Sequence, residues 1–133
     1  MVRTWLNSAE VDVTDDALLV RTSGGVTVKR AKISAAANGD NELVALVATK
    51  KIKVLGIFLI AAEAVVGTLY SGAQATGTAI TGPISLVASS GFVLAAPTDP
   101  AANWLETAAG ANLNLYLSAA KQVSGALVYY EQA

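Results

Sequence analysis

Carboxylates are the only side chains of this sequence suited to acid–base catalysis, because it contains no histidine and no cysteine. Asp15 and Asp16 are adjacent, so on a strand their side chains point to opposite faces. Glu106 lies close to Trp104, and we expect it to be partly buried. A glycosidase needs two carboxyl groups held about 5–10 Å apart across a cleft, and no spacing here predicts such a pair. We therefore predict that the chain is not an enzyme.

The missing residue types exclude several other kinds of site. Ser-His-Asp and Cys-His catalysis, thiolate chemistry, ordinary zinc sites and disulfides all require histidine or cysteine. Oxygen ligands for Ca²⁺ are available at Asn38, Asp40, Asn41 and Glu42, but their spacing does not match an EF-hand loop. We interpret these four residues as a polar turn, and we expect no metal and no cofactor.

Lys50, Lys51 and Lys53 form a tight basic group. On a strand, Lys51 and Lys53 share a face and Lys50 lies on the other. Nucleic-acid binding needs a broader basic patch, often with stacking aromatic rings, and the net charge of the chain is −1. We expect no nucleic-acid partner. The group is interpreted as a solvated strand end or as a contact with an acidic partner.

The aromatic residues divide into core and surface candidates. We expect Phe58 and Phe92 in the core. Tyr116 lies on the polar face of its predicted strand, and either Tyr129 or Tyr130 must face away from the core. Outward tyrosines are typical of interface anchors, although they are also common on plain sandwich surfaces.

Trp5 lies with Leu6 in an otherwise polar segment, shortly after Arg3. A tryptophan in such a segment is expected to dock, either on its own chain or on a neighbouring subunit. The candidate interface residues are therefore Arg3, Trp5, Leu6, Lys50, Lys51, Lys53, Tyr116 and Tyr130.

The elements that position these side chains are predicted to be strands. The chain has 133 residues, 53% of them hydrophobic and only 14% charged, which fits one domain with a substantial core. Residues 1–25 have poor periodicity and end in Ser23-Gly24-Gly25, so we interpret them as an irregular N-terminal arm or peripheral segment. Residues 26–133 are predicted to form a β-sandwich domain.

Turn signals divide that domain into about eight short strands. Asn38-Gly39 is a strong hairpin signal, Gly67 is interpreted as a possible bulge, and Leu113, Leu115 and Leu117 alternate with polar residues as in a half-buried strand. The pattern predicts an all-β, antiparallel, jelly-roll-like sandwich. Its predicted strands are Val26–Ser34 (an edge strand, because it carries Lys29, Arg30 and Lys32), Glu42–Thr49 and Ile52–Ala62 (both central), Val65–Ser71, Ile84–Ala88, Phe92–Ala95, Leu113–Ala119 and Val123–Glu131.

The segment from Asp99 to Gly110 has two interpretations. Asp99-Pro100 and Gly110 are good start and stop signals for a helix over Pro100–Ala109. The alternative is a short helical turn at Pro100–Asn103 followed by a strand at Trp104–Thr107. We favour the alternative, because strands are predicted on both sides.

Charge is distributed unevenly along the chain. Residues 1–53 hold eight of the nine basic residues and six of the ten acidic ones, whereas the run from Ala64 to Thr98 has no charge. A surface with so little charge is poorly protected against association, so we expect much of it to contact other subunits. The most apolar run, Val54 to Ala62, has nine residues against the roughly 20 of a membrane span. No membrane partner and no signal peptide are predicted.

Several segments resemble known proteins in their sequence pattern. The resemblance covers roughly residues 30–133 and is to small β-sandwich virion proteins of tailed bacteriophages, which include head decoration, or cement, proteins. The segments that carry it are Trp104-Leu-Glu-Thr-Ala-Ala-Gly110, Leu113-Asn-Leu-Tyr-Leu-Ser-Ala119, Val123-Ser-Gly-Ala-Leu-Val-Tyr-Tyr-Glu131, Asn38-Gly-Asp-Asn-Glu-Leu-Val44 and Lys51-Ile-Lys-Val-Leu-Gly56.

The resemblance implies a jelly-roll-like structural protein that binds the outside of a phage capsid and stabilises it. Its partners are then the major capsid protein and other copies of itself, with a homotrimer favoured over a homodimer. It is expected on the outer surface of the head, after assembly in the host cytoplasm. The alternative is a tail, fibre or baseplate β-sandwich module that binds a receptor or a carbohydrate.

Overall fold

Residues 26–133 are described by a computed structural model, and they form ten strands and one 3-10 turn. The predicted arm at residues 1–25 lies outside this range. The elements are β1 (Lys29–Ala35), β2 (Gly39–Val44), β3 (Lys51–Ala61), β4 (Val65–Ser71), β5 (Thr78–Ala79), β6 (Ile84–Leu86), β7 (Ser90–Leu94), the 3-10 turn (Pro100–Ala102), β8 (Leu105–Glu106), β9 (Leu113–Leu117) and β10 (Val123–Gln132).

The strands form two antiparallel sheets that pack against each other. Sheet A has the order β1-β10-β3-β7, with β8 also paired to β3, and sheet B has the order β2-β9-β4-β5, with β6 also paired to β4. The pairs β1–β10, β2–β9, β3–β7 and β4–β6 are nested, so the first strand of the domain pairs with the last. This nested pairing, wrapped into two sheets, is a jelly-roll arrangement. The predicted all-β sandwich is confirmed.

The core lies between the sheets and is built from alternate residues of each long strand. On β9, Leu113, Leu115 and Leu117 are buried, as their alternation predicts. On sheet A, Leu59 and Leu127 face them from β3 and β10. Apolar side chains at every second position of a strand place one face of its sheet in the core.

β3 contains the main irregularity of sheet A. Val128 of β10 pairs with Gly56, but Tyr129 pairs with Val54, so Leu55 is an extra residue on β3. A bulge of this kind changes which alternate residues face the core. Ile52 and Val54 are buried before the bulge, and Ile57, Leu59 and Ala61 after it.

The segment after Asp99 follows the favoured interpretation. The side chain of Asp99 accepts a hydrogen bond from the Ala101 amide at 3.0 Å and caps the 3-10 turn. The chain then forms β8, where Leu105 pairs with Val54 and Glu106 pairs with Lys53. A turn joins β8 to β9, with the Ala111 amide bonded to the Ala108 carbonyl.

The predicted hairpin at Asn38-Gly39 is wrong. Gly39 has a φ of +100°, so the chain does turn sharply there. However, β1 pairs with β10 and β2 pairs with β9, so the turn leads from sheet A to sheet B. The Asn41 side chain donates to the Ala37 carbonyl at 2.9 Å and holds this corner.

The structure decides four further strand expectations. The predicted central strand Glu42–Thr49 is wrong, because β2 ends at Val44 and lies at the edge of sheet B. Gly67 is not a bulge, because it stays in register with Leu117 on one side and Ile84 on the other. The edge position of β1 and the central position of β3 are confirmed.

Candidate interaction surface

The structure places no candidate metal site in residues 26–133. No group of three or more histidine, cysteine or acidic residues within that range is arranged to hold a metal ion. Asp15 and Asp16 lie outside the range. In the part of the chain that the structure describes, no helix is long and apolar enough to span a membrane.

Glu106 is exposed, which corrects the expectation that it is partly buried. It lies on β8 opposite Lys53, and its carboxylate oxygens are 3.5 Å from the Lys51 ammonium and 3.9 Å from the Lys53 ammonium. The two lysines share a face, as predicted from their spacing, and that face brings them to one carboxylate. Glu106 therefore neutralises part of the predicted basic group.

The rest of the basic group lies at the same end of sheet A. Lys53 also donates to the Gln132 side chain at 3.1 Å. Lys50 is exposed and borders an open hollow of about 530 Å³, whose lining includes Lys29 and Glu131. The Lys29 ammonium lies 2.6 Å from the Glu131 carboxylate. Its hydrogen bond to that carboxylate, followed by the charge attraction, raises the pKa of Lys29 above its ordinary value.

The predicted polar turn is only partly correct, because Asp40, Asn41 and Glu42 belong to β2. From that strand their side chains bind neighbouring parts of the chain. Both Asp40 carboxylate oxygens accept from the backbone N–H of Gln74, at 3.1 and 3.2 Å. Glu42 accepts from the Asn112 side chain at 2.7 Å. These oxygen atoms tie the β4–β5 connection and the residue before β9 to β2.

Tyr116 is half-buried on the outer face of sheet B, as its alternation predicts. Its ring packs edge-on against Tyr70, with ring centroids 6.1 Å apart and an interplanar angle of 66°. Tyr116 is paired with Asp40 on one side and Thr68 on the other. This face therefore combines two aromatic rings with amide and carboxylate groups.

Tyr130 is not a surface tyrosine, contrary to the expectation from its strand. It is only 2% exposed, and its hydroxyl donates to the Pro100 carbonyl at 3.0 Å. It pairs with Lys53 on β3, whose neighbours Ile52 and Val54 face the core, so Tyr130 is on the outer side of sheet A. The 3-10 turn at Pro100–Ala102 covers it there. Its ring is a buried contact within the chain.

The outer face of sheet A carries an apolar surface that no other part of residues 26–133 covers, and the sequence pattern did not predict it. Phe58 is 45% exposed, Ile60 51% and Val93 72%, so the prediction that Phe58 lies in the core is wrong. Phe58 pairs with Val93 on one side and Ala126 on the other. We call Phe58, Ile60, Val93, Ala126 and Val128 the outer apolar face.

A shallow hollow of about 310 Å³ lies on this face. Its lining includes Phe58, Val93, Ala126 and Val128, with Arg30 as the one charged residue. A hollow of this composition fits an apolar side chain from another molecule better than a polar ligand.

The two edges of sheet A differ in their chemistry. β1, at one edge, carries Lys29, Arg30 and Lys32, and cations on an edge strand oppose pairing with other chains. β7, at the opposite edge, has no charged residue. The outer apolar face therefore extends to an edge without that protection.

The signal for this face is present in the sequence. Successive residues from Val54 to Ala62 are apolar, which predicts a central strand and equally fits a strand with an exposed apolar face. In a sandwich each sheet has one face in the core and one outside. A strand that is apolar on both faces therefore exposes apolar side chains unless another element covers them, as the turn at Pro100 covers Tyr130.

Arg3, Trp5 and Leu6 lie outside the described residues. Among the other candidates, Lys50, Lys51 and Lys53 lie at one end of sheet A, Tyr116 lies on sheet B, and Tyr130 is buried. Comparisons with protein-family models, curated proteins and solved structures give no match.

Proposed function

We propose that this protein is a structural virion component that binds the outer surface of a phage capsid and stabilises it. The observation that carries the proposal is the outer apolar face on a jelly-roll sandwich. Contiguous exposed apolar surface is unfavourable in water and marks a surface that another molecule covers. The resemblance to phage decoration proteins gives the proposal its place on the head.

Two features of the described residues support a binding role. Residues 26–133 contain no group of three or more acidic residues arranged to hold a metal ion, and Glu106 neutralises part of the charge of Lys51 and Lys53. The jelly roll also occurs in capsid proteins, although a fold alone does not assign a function.

In this proposal the outer apolar face and the end of sheet A that carries Lys50 have different partners. The outer apolar face packs against other copies, in a homotrimer rather than a homodimer, and the end that carries Lys50 contacts the major capsid protein together with Trp5. Binding only to the assembled shell stabilises that shell by mass action. An oligomer that bridges several capsid subunits gains affinity by multivalency, so each single contact can be weak.

Co-sedimentation with heads prepared without this protein tests the proposal. We expect the wild-type protein to pellet with the heads and to raise their melting temperature. Lys50→Glu is expected to weaken binding, because it reverses a charge at the proposed contact. Lys121→Glu serves as the matched control, because Lys121 is also exposed but lies at the opposite end of sheet A. Failure to bind heads, combined with binding to tails or host cells, contradicts the placement on the head.

One observation favours a second function, that of a tail, fibre or baseplate module that binds a carbohydrate. Tyr70 and Tyr116 lie beside the Glu42–Asn112 pair on the outer face of sheet B. Aromatic rings next to amide and carboxylate groups suit sugar recognition. This alternative predicts that the isolated protein binds a glycan array and that Tyr116→Ala abolishes the binding, with no change in the heat resistance of heads.

A further inference from the structure

The corner of sheet A formed by β3 and β7 combines two features that are unfavourable for an isolated molecule. The side chains of Phe58, Ile60 and Val93 are exposed on the outer face. The backbone of β7 is the last strand of the sheet on that side, so half of its peptide groups have no strand partner among the described residues. The two features adjoin, because Val93 belongs to both.

The size of this corner suits the centre of a protein interface. At about 150–250 Å² for a large side chain, the three side chains expose on the order of 300 Å². That is comparable to the largest apolar patches on soluble monomers, which are often functional. A standard interface buries about 800 Å² on each partner, with an apolar centre and a polar rim. Arg30 and Lys32 on β1 lie towards the rim of the same outer face.

The chemistry of the corner restricts its occupant. A charged group that is buried against Phe58 and Val93 loses its hydration without a partner of opposite charge. The occupant must therefore present a charge-free surface. The chain itself supplies one, because it has no charged residue from Ala64 to Thr98, a run that includes all of β7.

The segment of residues 1–25 of the same chain is less suitable as the occupant. It contains the apolar pair Trp5-Leu6, but it also has four carboxylates, Glu10, Asp12, Asp15 and Asp16. Several of these would have to be placed near an apolar surface whose one charged neighbour in the hollow is Arg30. The β7 strand of a second copy brings no charged side chain to the contact.

We infer that a second copy of this chain covers the β3–β7 corner and that Val93 lies at the centre of the contact between copies. This inference deepens the proposed function, since it assigns the self-contact of the virion component to a specific surface. Self-association is tested without capsids. A monomeric protein that binds heads would contradict this inference alone, and an oligomer that does not bind heads would contradict the proposed function alone.

The first experiment measures the solution mass by light scattering over a range of protein concentrations. The wild-type protein is expected to be oligomeric. Val93→Lys is expected to raise the dissociation constant of the oligomer by about 10- to 100-fold, as for other residues at the centre of an interface. Val66→Lys is the matched control, because Val66 is also an exposed strand valine, but it lies on the outer face of sheet B. Circular dichroism checks that both variants keep their strands.

The absence of cysteine from the chain allows a second, independent measurement. Val93→Cys and Val66→Cys each introduce one thiol, whose rate of reaction with a maleimide reports its exposure. We expect Val93→Cys to react slowly at high concentration and quickly on dilution, whereas Val66→Cys reacts quickly at both.

Three results would overturn the inference. They are a wild-type protein that is monomeric at every concentration, equal dissociation by the two lysine variants, and a Val93→Cys thiol that reacts as fast as that of Val66→Cys. Slow reaction of Val93→Cys in a monomeric protein also overturns it, because the corner is then covered from within the same chain.

Discussion

Lys29 and Glu131 form the one ion pair among the described residues in which a side chain is nearly buried. The Glu131 side chain is 8% exposed and the Lys29 side chain 47%. The pair joins the first strand of sheet A to the last, because Lys29 is opposite Tyr129 in the register. A carboxylate that is shielded from water depends more on its partner than an exposed one does.

We therefore expect Lys29→Met to lower the melting temperature at neutral pH, and the loss to disappear at high pH. The pKa of Lys29 is raised in the folded protein above its ordinary value of 10.5. The stabilisation is thus complete below that value and is lost as the pH rises through the pKa of the folded state. Thermal melts of both proteins across this range measure the difference.

Lys121→Met provides the control, because Lys121 pairs with Glu63 where both side chains are exposed. Such pairs contribute little to stability, so its melting temperature should stay near that of the wild type. If the deficit of Lys29→Met persisted unchanged at high pH, the alkyl chain of Lys29 and not its charge would be responsible.

At the scale of single residues, the sequence predicts which face a side chain takes better than whether that face is covered. The alternation on β9 correctly places the three leucines in the core and Tyr116 outside. Tyr130 and Phe58 are both on the outer side of sheet A, yet one is buried and the other exposed. The difference comes from the turn at Pro100, which is 30 residues from Tyr130 along the chain, and local patterns contain no information on such contacts.

At the scale of elements, β10 is the strand on which sheet A depends, since it lies between β1 and β3. Gly125 is the third residue of this strand and lies opposite Ile33 on one side and Leu59 on the other. A Cβ atom at Gly125 would collide with the Phe58 carbonyl oxygen and would lie 2.9 Å from the Leu59 Cα. Both are backbone atoms of β3, so neither moves without shifting the strand.

Gly125→Ala is accordingly expected to lower the free energy of unfolding by at least about 2 kcal/mol, as in other overpacked cores. Gly82→Ala is the matched control, because a Cβ there meets nothing within 4 Å, and its effect should stay within about 0.5 kcal/mol. Urea denaturation measures both. Equal stability of the two variants would mean that β3 and β10 separate easily at this point.

The positions of most strands could be predicted from the sequence, whereas their partners could not. Each strand of three or more residues overlaps a predicted one, because turn residues and period-2 alternation are local signals. Asn38-Gly39 illustrates the limit of such signals. The dipeptide correctly predicts a sharp turn, but β1 and β2 pair with β10 and β9, and these partners are decided by the packing of the whole sandwich. The bulge at Leu55 likewise depends on its partner strand.

At the scale of the whole molecule, the nested pairing predicts slow folding. Each sheet joins strands that are far apart in sequence, such as β1 with β10 and β2 with β9. Chain closure over such distances costs entropy before the contacts form, and all-β domains of this kind fold in milliseconds to seconds. Refolding from urea, followed by tryptophan fluorescence in a stopped-flow instrument, should fall in that range. Refolding within microseconds would mean that a smaller, local unit folds first.

The same pairing governs how the chain behaves while a ribosome makes it. β3 leaves the ribosomal tunnel early, yet β10, its neighbour along nearly its whole length, follows only after some 60 further residues. Until then the apolar side chains of Ile57 and Leu59 have no complete sheet to pack into. The uncharged run from Ala64 to Thr98, which follows them in the sequence, is also exposed to water. A nascent chain in this condition is expected to bind chaperones that hold apolar segments. Loss of those chaperones should therefore reduce the yield of folded protein in a cell without changing the stability of the molecules that do fold.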